Sequence, residues 1–315
     1  MSASSNPTSS LDPAVLQLLQ RAESLVARLD ALLPSPHHAA VTAPDWAASV
    51  AFRYRKRSSA AWATGWLEPV RHVSLIRYED LQEVDTQKGR FMRNLAQFVA
   101  GQPANNVLLS GARGTGKSSL VKAGLQAHAD QGLRLIEVDK ADMIDLPDLI
   151  ELVSSRPERF IVFCDDLSFD EGEPGYKALK SILDGTVSAS GDNVMIIATS
   201  NRRHLLPEYH ADNASYKRDA DGELHPGEVV EEKISLSERF GLWISFYPFS
   251  QEEYLTIVAQ WLQHFGLPAS AMEQARPEAL VWALERGSRS GRVAFQFARD
   301  FAGRLPGAAD GQGAA

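Results

Sequence analysis

A chain of 315 residues with 44% hydrophobic and 23% charged residues has enough apolar material for one large or two modest globular domains. A formal net charge of −8 argues against a protein whose main task is to coat nucleic acid, and no apolar run approaches the ~18 residues that a membrane-spanning helix needs. The opening MSASSNPTSS lacks the basic-then-apolar order of a secretion signal, so a cytoplasmic protein with no membrane partner is expected.

The first ten residues are polar and Ser-rich, and residues 306–315 are rich in Gly and Ala, a composition expected to be disordered at both ends. Between Leu11 and Leu33, apolar residues recur at Val15, Leu18, Ala22, Leu25, Leu29 and Leu32, alternating steps of three and four as in a helical seam. Asp12 as N-cap and Pro13 at the first helical position fit its start. With the linker PSPHHAAVTAP behind it, this makes residues 11–74 an expected helical extension. The run RYRKR at Arg53–Arg57, flanked by Trp46, Phe52 and Trp62, is read either as a solvated basic face or as a surface for phosphate or an acidic partner.

From about residue 75 the pattern becomes regular. A helix through KGRFMRNLAQFVAG precedes the strand NVLLS, a Gly-rich turn and a helix KSSLVKAGLQAHA. The strands LRLIEVD, RFIVFCDD, NVMIIATSN and LWISFYPF follow, separated by helical stretches such as YKALKSILDG. Continuously apolar strands alternating with helices predict a parallel sheet covered on both faces over residues 75–249. The polar segment 207–233 is expected as a mobile insertion; its His210 and His225 lack tight metal-ligand spacing. After Pro248 only helical patterns remain, predicting a small helical domain over 250–305. Cys164, the single cysteine, lies inside an apolar strand and reads as a small buried residue.

GARGTGKSS, directly after the strand at Val107–Leu109, satisfies GxxxxGK(S/T) in its required strand-to-helix setting. Gly111, Gly114 and Gly116 allow backbone N–H groups across Gly111, Ala112, Arg113, Gly114, Thr115 and Gly116 to converge on phosphate at a helix N-terminus. Lys117 supplies charge toward the outer phosphates, Ser118 offers a hydroxyl to Mg²⁺, and Ser119 continues the turn. Asp165 and Asp166 end the strand RFIVFC, where two adjacent acids persist only if a cation or proton relay compensates them. Asp165 is the candidate Mg²⁺ ligand, and Asp166 is the candidate general base or, alternatively, a hydrogen-bonded strand end. If NVMIIATSN pairs between the cradle strand and the acid strand, with LRLIEVD at the edge, Asn201 arrives beside the γ-phosphate.

The cradle, the DD strand, ATSN, and SLSERFG before a fifth strand and helical lid together resemble an AAA+ ATPase over about Leu75 to Gly303. FCDDLSF, YKALKSILDG, ATSNRRHL and EEKISLSERFGLWISFYPF are similar to the bacterial group described as domain of unknown function 815. The resemblance implies ATP and Mg²⁺ as ligands, a Walker A loop at Gly111–Ser118, a Walker B pair at Asp165 and Asp166, and a sensor 1 at Asn201. It also implies an arginine finger at Arg239, a sensor 2 arginine at Arg292, and a homo-oligomer acting on a protein or nucleic-acid client. Arg202 and Arg203 are rivals for the finger, and a salt bridge with Glu238 is the structural alternative for Arg239. Asp166 departs from the family pattern, which has Glu there; the carboxylate falls about 1.5 Å short, and misplacement of about 1 Å can slow turnover on the order of 10²-fold. KADMIDLPD lacks the aromatic-apolar-Gly loop of threading unfoldases. A P-loop kinase and a nucleotide-gated binding module are the alternative functions.

Overall fold

The computed structural model describes residues 41–58, 63–73, 76–169, 173–184, 192–201 and 236–304, with the short pieces 21, 23–24, 217–218 and 224–225. Its centre is a seven-stranded sheet: β1 (Ala51–Ser58), β2 (Ala63–Pro69), β3 (Val107–Gly111), β4 (Leu133–Glu137), β5 (Arg159–Cys164), β6 (Val194–Ser200) and β7 (Leu242–Phe246). The order across the sheet is β2-β1-β4-β5-β6-β3-β7, parallel except for the β1–β2 hairpin. Strand β6 lies between the cradle strand β3 and the acid strand β5, as the sequence reading requires. Strand β4 is not the edge, because β1 pairs with its outer side.

Side chains alternate across the sheet into two cores, so both faces are buried. On β3, Val107 and Leu109 join the core containing Phe91, Leu95 and Leu120, whereas Leu108 faces the core of Leu146, Leu149, Leu179 and Ile182. Helices α1 (Asp85–Val99) and α2 (Lys117–His128) cover the first face, and α3 (Leu146–Ser154) and α4 (Pro174–Leu183) cover the second. This is the burial that continuous apolar strands demand.

The expected helical extension is corrected in its second half, where residues 51–58 and 63–69 are strands. Phe52 and Tyr54 are buried while Arg53, Arg55 and Arg57 point the other way, a period of two that a helix cannot satisfy. The basic run is not a free patch. Arg53 pairs with Glu137 at 2.8 Å, Arg55 with Glu68 at 2.9 Å and Lys56 with Asp145 at 2.7 Å, and Arg57 lies over the Trp66 ring. The outer side of β2 is partly covered, since the Thr42 N–H donates to Gly65 O at 3.0 Å. The seam at Leu11–Leu33, apart from the helical residues 21, 23 and 24, lies outside the described residues, as do both termini. The same holds for most of the 207–233 insertion, of which Lys217–Arg218 pairs with Leu224–His225.

Three helices end the described residues: α5 (Gln251–His264), α6 (Ala271–Glu285) and α7 (Gly291–Arg304). Ser250 and Glu253 form a reciprocal capping box at the start of α5, Ser250 Oγ accepting from Glu253 N–H and Glu253 Oε2 accepting from Ser250 N–H. The buried Tyr254 hydroxyl donates to Ala279 O at 3.1 Å, tying α5 to α6, and Trp261 packs edge-on against Phe295 of α7. Helix α6 starts at Ala271, upstream of Pro277, because packing of Ala275, Ala279 and Ala283 outweighs the one hydrogen bond that proline removes. Among the described residues no helix is long and apolar enough to cross a membrane.

Candidate active site

The carboxyl ends of β3, β5 and β6 meet at one place, and the chain's polar motifs sit there. Leaving β3, Gly111 has φ of 120°, and a Cβ on it would lie 1.9 Å from Phe246 O, so only glycine fits between the loop and the end of β7. The next N–H, of Ala112, donates to that same oxygen at 3.1 Å. Thr115 Oγ1 donates back to Ala112 O at 2.8 Å, closing the loop on itself, and Gly116, left-handed with φ of 97°, caps α2. The loop is therefore shaped before any ligand arrives, its backbone amides gathered at a helix N-terminus.

Lys117, only 6% exposed, sends its ammonium back across the loop to Gly111 O at 2.8 Å, Ala112 O at 2.7 Å and Asn201 Oδ1 at 3.1 Å. Three donors meet three acceptors. Burial pulls the Lys117 pKa down to about 8, Asp165 and Asp166 oppose that shift, and the Arg113 and Arg292 charges add to it.

Ser118 Oγ donates to Asp165 Oδ1 at 2.6 Å, and Thr199 Oγ1 donates to the same oxygen at 2.6 Å. Thr199 Oγ1 in turn accepts from Asp166 N–H at 2.9 Å, and Thr199 O accepts from Leu167 N–H at 2.7 Å. Strand β6 thus grips the turn after β5 at both acids. Asp166 has φ of 51°, a left-handed conformation that aspartate tolerates better than most residues, and its carboxylate accepts from Asn201 Nδ2. Asn201 bridges the cradle lysine on one side and the second acid on the other. Thr199 is the contact that sequence reasoning missed; its position two residues before Asn201 in ATSN was the available signal.

Arg292 lies at the start of α7, and its N–H donates to Gly114 O at 3.3 Å. A Cβ on Gly114, whose φ is 72°, would come 2.8 Å from Ser290 Oγ. The helical domain therefore rests directly on the phosphate loop, through residues that leave no room for larger ones. Ser119 follows in the first turn of α2, half-exposed. Arg239 follows a short helical turn, Leu236–Glu238, ahead of β7, and its Nε donates to the Asp184 carboxylate at the end of α4. Its described ion pair is with Asp184 and not with the adjacent Glu238. The rival arginines Arg202 and Arg203 lie outside the described residues. Burial pushes the Cys164 thiol up to about 12, helped by Asp165, so the thiol is inert beside the site.

Among the described residues no three acidic, His or Cys side chains gather to cage a metal. Ser118 and Asp165 form a two-oxygen set of the kind that suits Mg²⁺, which keeps waters and takes further ligands from substrate phosphates. Strand β6 between β3 and β5, with a helical domain set on the loop after β3, makes this a P-loop fold of the AAA+ type.

Comparison with solved structures places the chain near the Thermotoga maritima RuvB Holliday junction branch migration motor, with TM-score 0.45 and 16% identity, covering 73% of this chain and 64% of that one. The Aeropyrum pernix ORC1 protein in complex with DNA is similar at TM-score 0.45 and 14% identity, over 68% of this chain and 57% of the other. The chain thus spans less than two thirds of the length of either. Comparison with curated proteins finds no match. The family model described as "Protein of unknown function (DUF815)" matches residues 47–305, most of the chain and all of the site, and the protein belongs to that family.

Proposed function

We propose that the protein binds ATP with Mg²⁺ and hydrolyses it as an AAA+ ATPase, working in homo-oligomers as a switch or remodeller of a protein or nucleic-acid client. The observation that carries this reading is the Lys117–Asn201–Asp166 chain, which joins the cradle cation to a second acid through one amide. In the nucleotide complex Lys117 exchanges its carbonyl partners for outer phosphate oxygens, and Gly111 to Gly116 supply backbone donors. Mg²⁺, when bound, is held by Ser118 and Asp165 and neutralises charge on the phosphates. Asp166 takes the proton of the attacking water, and Asn201 orients that water. Arg239 serves the nucleotide of a neighbouring subunit, and Arg292 reports the nucleotide state to the helical domain.

Two observations bear on the alternatives. A kinase has no use for a helical domain seated on the loop by Arg292, which favours the ATPase. The segment after β4 is pinned: Met143 is buried, Asp145 accepts from Lys56 at 2.7 Å and from the Tyr54 hydroxyl at 3.0 Å, and Lys140 pairs with Glu173 at 2.8 Å. This favours switching or remodelling over threading of a polypeptide. The test measures ATP binding by calorimetry and phosphate release with and without Mg²⁺, in wild type and Lys117→Ala. Binding and Mg²⁺-dependent release are expected in wild type alone. Binding without release would leave the gated-module reading instead, and binding retained within about twofold in Lys117→Ala would overturn the cradle assignment.

A further inference from the structure

We infer that Thr199 is a positioning residue for both acids, and that the left-handed turn it holds, rather than side-chain length, brings the Asp166 carboxylate to Asn201. The inference rests on the reading of Asp166 as the base and adds what aims it. Strands β5 and β6 run parallel with Cys164 opposite Ala198, so the next residue of β6, Thr199, comes level with the end of β5. Thr199 is buried, 2% exposed, and its hydroxyl is used in both senses: it donates to Asp165 Oδ1 at 2.6 Å and accepts from the Asp166 N–H at 2.9 Å. Thr199 O accepts from the Leu167 N–H at 2.7 Å, and Leu167 is itself buried. Three consecutive residues after β5 are thus tied to one residue of β6.

Those ties fix the backbone where it turns. Asp166 has φ of 51°, a region that aspartate enters more readily than acids with longer side chains, because its short polar group bonds locally. From that turn the carboxylate accepts from Asn201 Nδ2, and Asn201 Oδ1 accepts from Lys117 Nζ at 3.1 Å. The shorter acid therefore already reaches the amide next to the cradle cation. A glutamate is longer by one carbon–carbon bond, about 1.5 Å. In this turn it would carry the carboxylate past that amide, and a misplacement of that order slows turnover about 10²-fold. Without the Thr199 hydroxyl the Asp166 N–H loses its acceptor and Asp165 Oδ1 keeps only Ser118 as donor, so the advantage of the shorter acid goes with it.

The experiment uses the full chain and reads ATP affinity by calorimetry and Mg²⁺-dependent phosphate release. Asp166→Glu is expected to lower kcat about tenfold to a hundredfold with ATP affinity within about twofold of wild type. Thr199→Val, of the same shape without the hydroxyl, should lower kcat about tenfold or more, and Thr199→Ser should keep most of the rate. The double variant Asp166→Glu/Thr199→Val should lose less than the product of the two single losses, because the longer acid is penalised only while the turn is held. Asp166→Glu at or above the wild-type rate would overturn the inference. So would single losses that multiply, a wild-type kcat in Thr199→Val, or a serine variant as slow as the valine one. Asp166→Glu leaves Thr199 in place, so it decides the matter if valine at 199 weakens the fold. Asp166→Asn separates the inference from the reading beneath it. No release from wild type, or wild-type turnover in Asp166→Asn, ends the reading of Asp166 as the base and this inference with it. Turnover lost in Asp166→Asn but unchanged in Asp166→Glu ends the inference alone.

Discussion

Lys117 offers a quantitative test, because its charge is the centre of the cradle and its ionisation is displaced well below the ordinary lysine value. With a pKa of about 8 in the ligand-free site, the ammonium is about nine-tenths charged at pH 7 and about one-tenth charged at pH 9. If only the charged form accepts the phosphates, the apparent Kd rises by the inverse of that fraction, about tenfold from pH 7 to 9 and about tenfold again by pH 10, or ~1.4 kcal/mol per step. The outer phosphate is already ionised in this window, and burial lifts the Tyr54 and Tyr78 phenols and the Cys164 thiol above it. Calorimetry at pH 7, 8, 9 and 10 in buffers of differing ionisation enthalpy should show the loss of affinity and an uptake approaching one proton at pH 9. Lys117→Arg, charged throughout, should bind more weakly but with a flat profile. Folding without nucleotide has the opposite sign. The unfolded chain keeps the lysine proton up to its ordinary 10.5 while the folded chain releases it near 8. The buried charge therefore costs stability below about pH 8, and that cost is relieved as pH rises to 10.5, by about 1.4 kcal/mol per unit at most. A wild-type Kd constant from pH 7 to 10, or the same slope in Lys117→Arg, would refute the reasoning.

Asp165→Asn is expected to abolish the Mg²⁺ dependence of phosphate release, whereas Asp166→Asn should bind ATP within about twofold of wild type and lose about 10²–10⁴ in turnover; identical behaviour of the two would end the division of labour between the acids. Thr199→Val leaves Asp165 without one hydroxyl donor and the Asp166 N–H without its acceptor, so denaturant unfolding should show a loss of about 1–3 kcal/mol together with reduced turnover. Gly114→Ala adds a methyl 2.8 Å from Ser290 Oγ at a left-handed φ; thermal unfolding should reveal about 1–3 kcal/mol of destabilisation, and ATP affinity should fall with it.

The cradle, the acids and Asn201 were legible because each is a local pattern with a fixed consequence: a glycine run between strand and helix, acids ending an apolar strand, and an amide ending the next. The place of β6 between β3 and β5 was a condition that Asn201 set, whereas β4, expected at the edge, has β1 on its outer side. Arg292 was legible by resemblance, but its meeting with Gly114 is a contact across about 180 residues of chain that no local pattern encodes. The hairpin β1–β2 was missed although Phe52 and Tyr54 alternate with Arg53 and Arg55, because four charges in five residues hide a period of two when their partners, Glu137 and Asp145, lie far along the sequence. Asp184 gave no signal for the same reason; its tie to Arg239 exists only once α4 and the turn before β7 share a core.

The hairpin also sets where movement has room to occur. Tyr54 and Lys56 fasten the 139–145 segment to the outermost strands, and Arg53 fastens β4 to β1, so that flank of the sheet behaves as a riveted plate. The opposite flank has the phosphate loop touching the helical domain by a backbone contact at Gly114 and Arg292. In the proposed ATPase a change in the loop would therefore meet resistance on the β1–β2 side and pass to α5–α7 at Gly114 and Arg292, where the helical domain shares one core with α1 and α2.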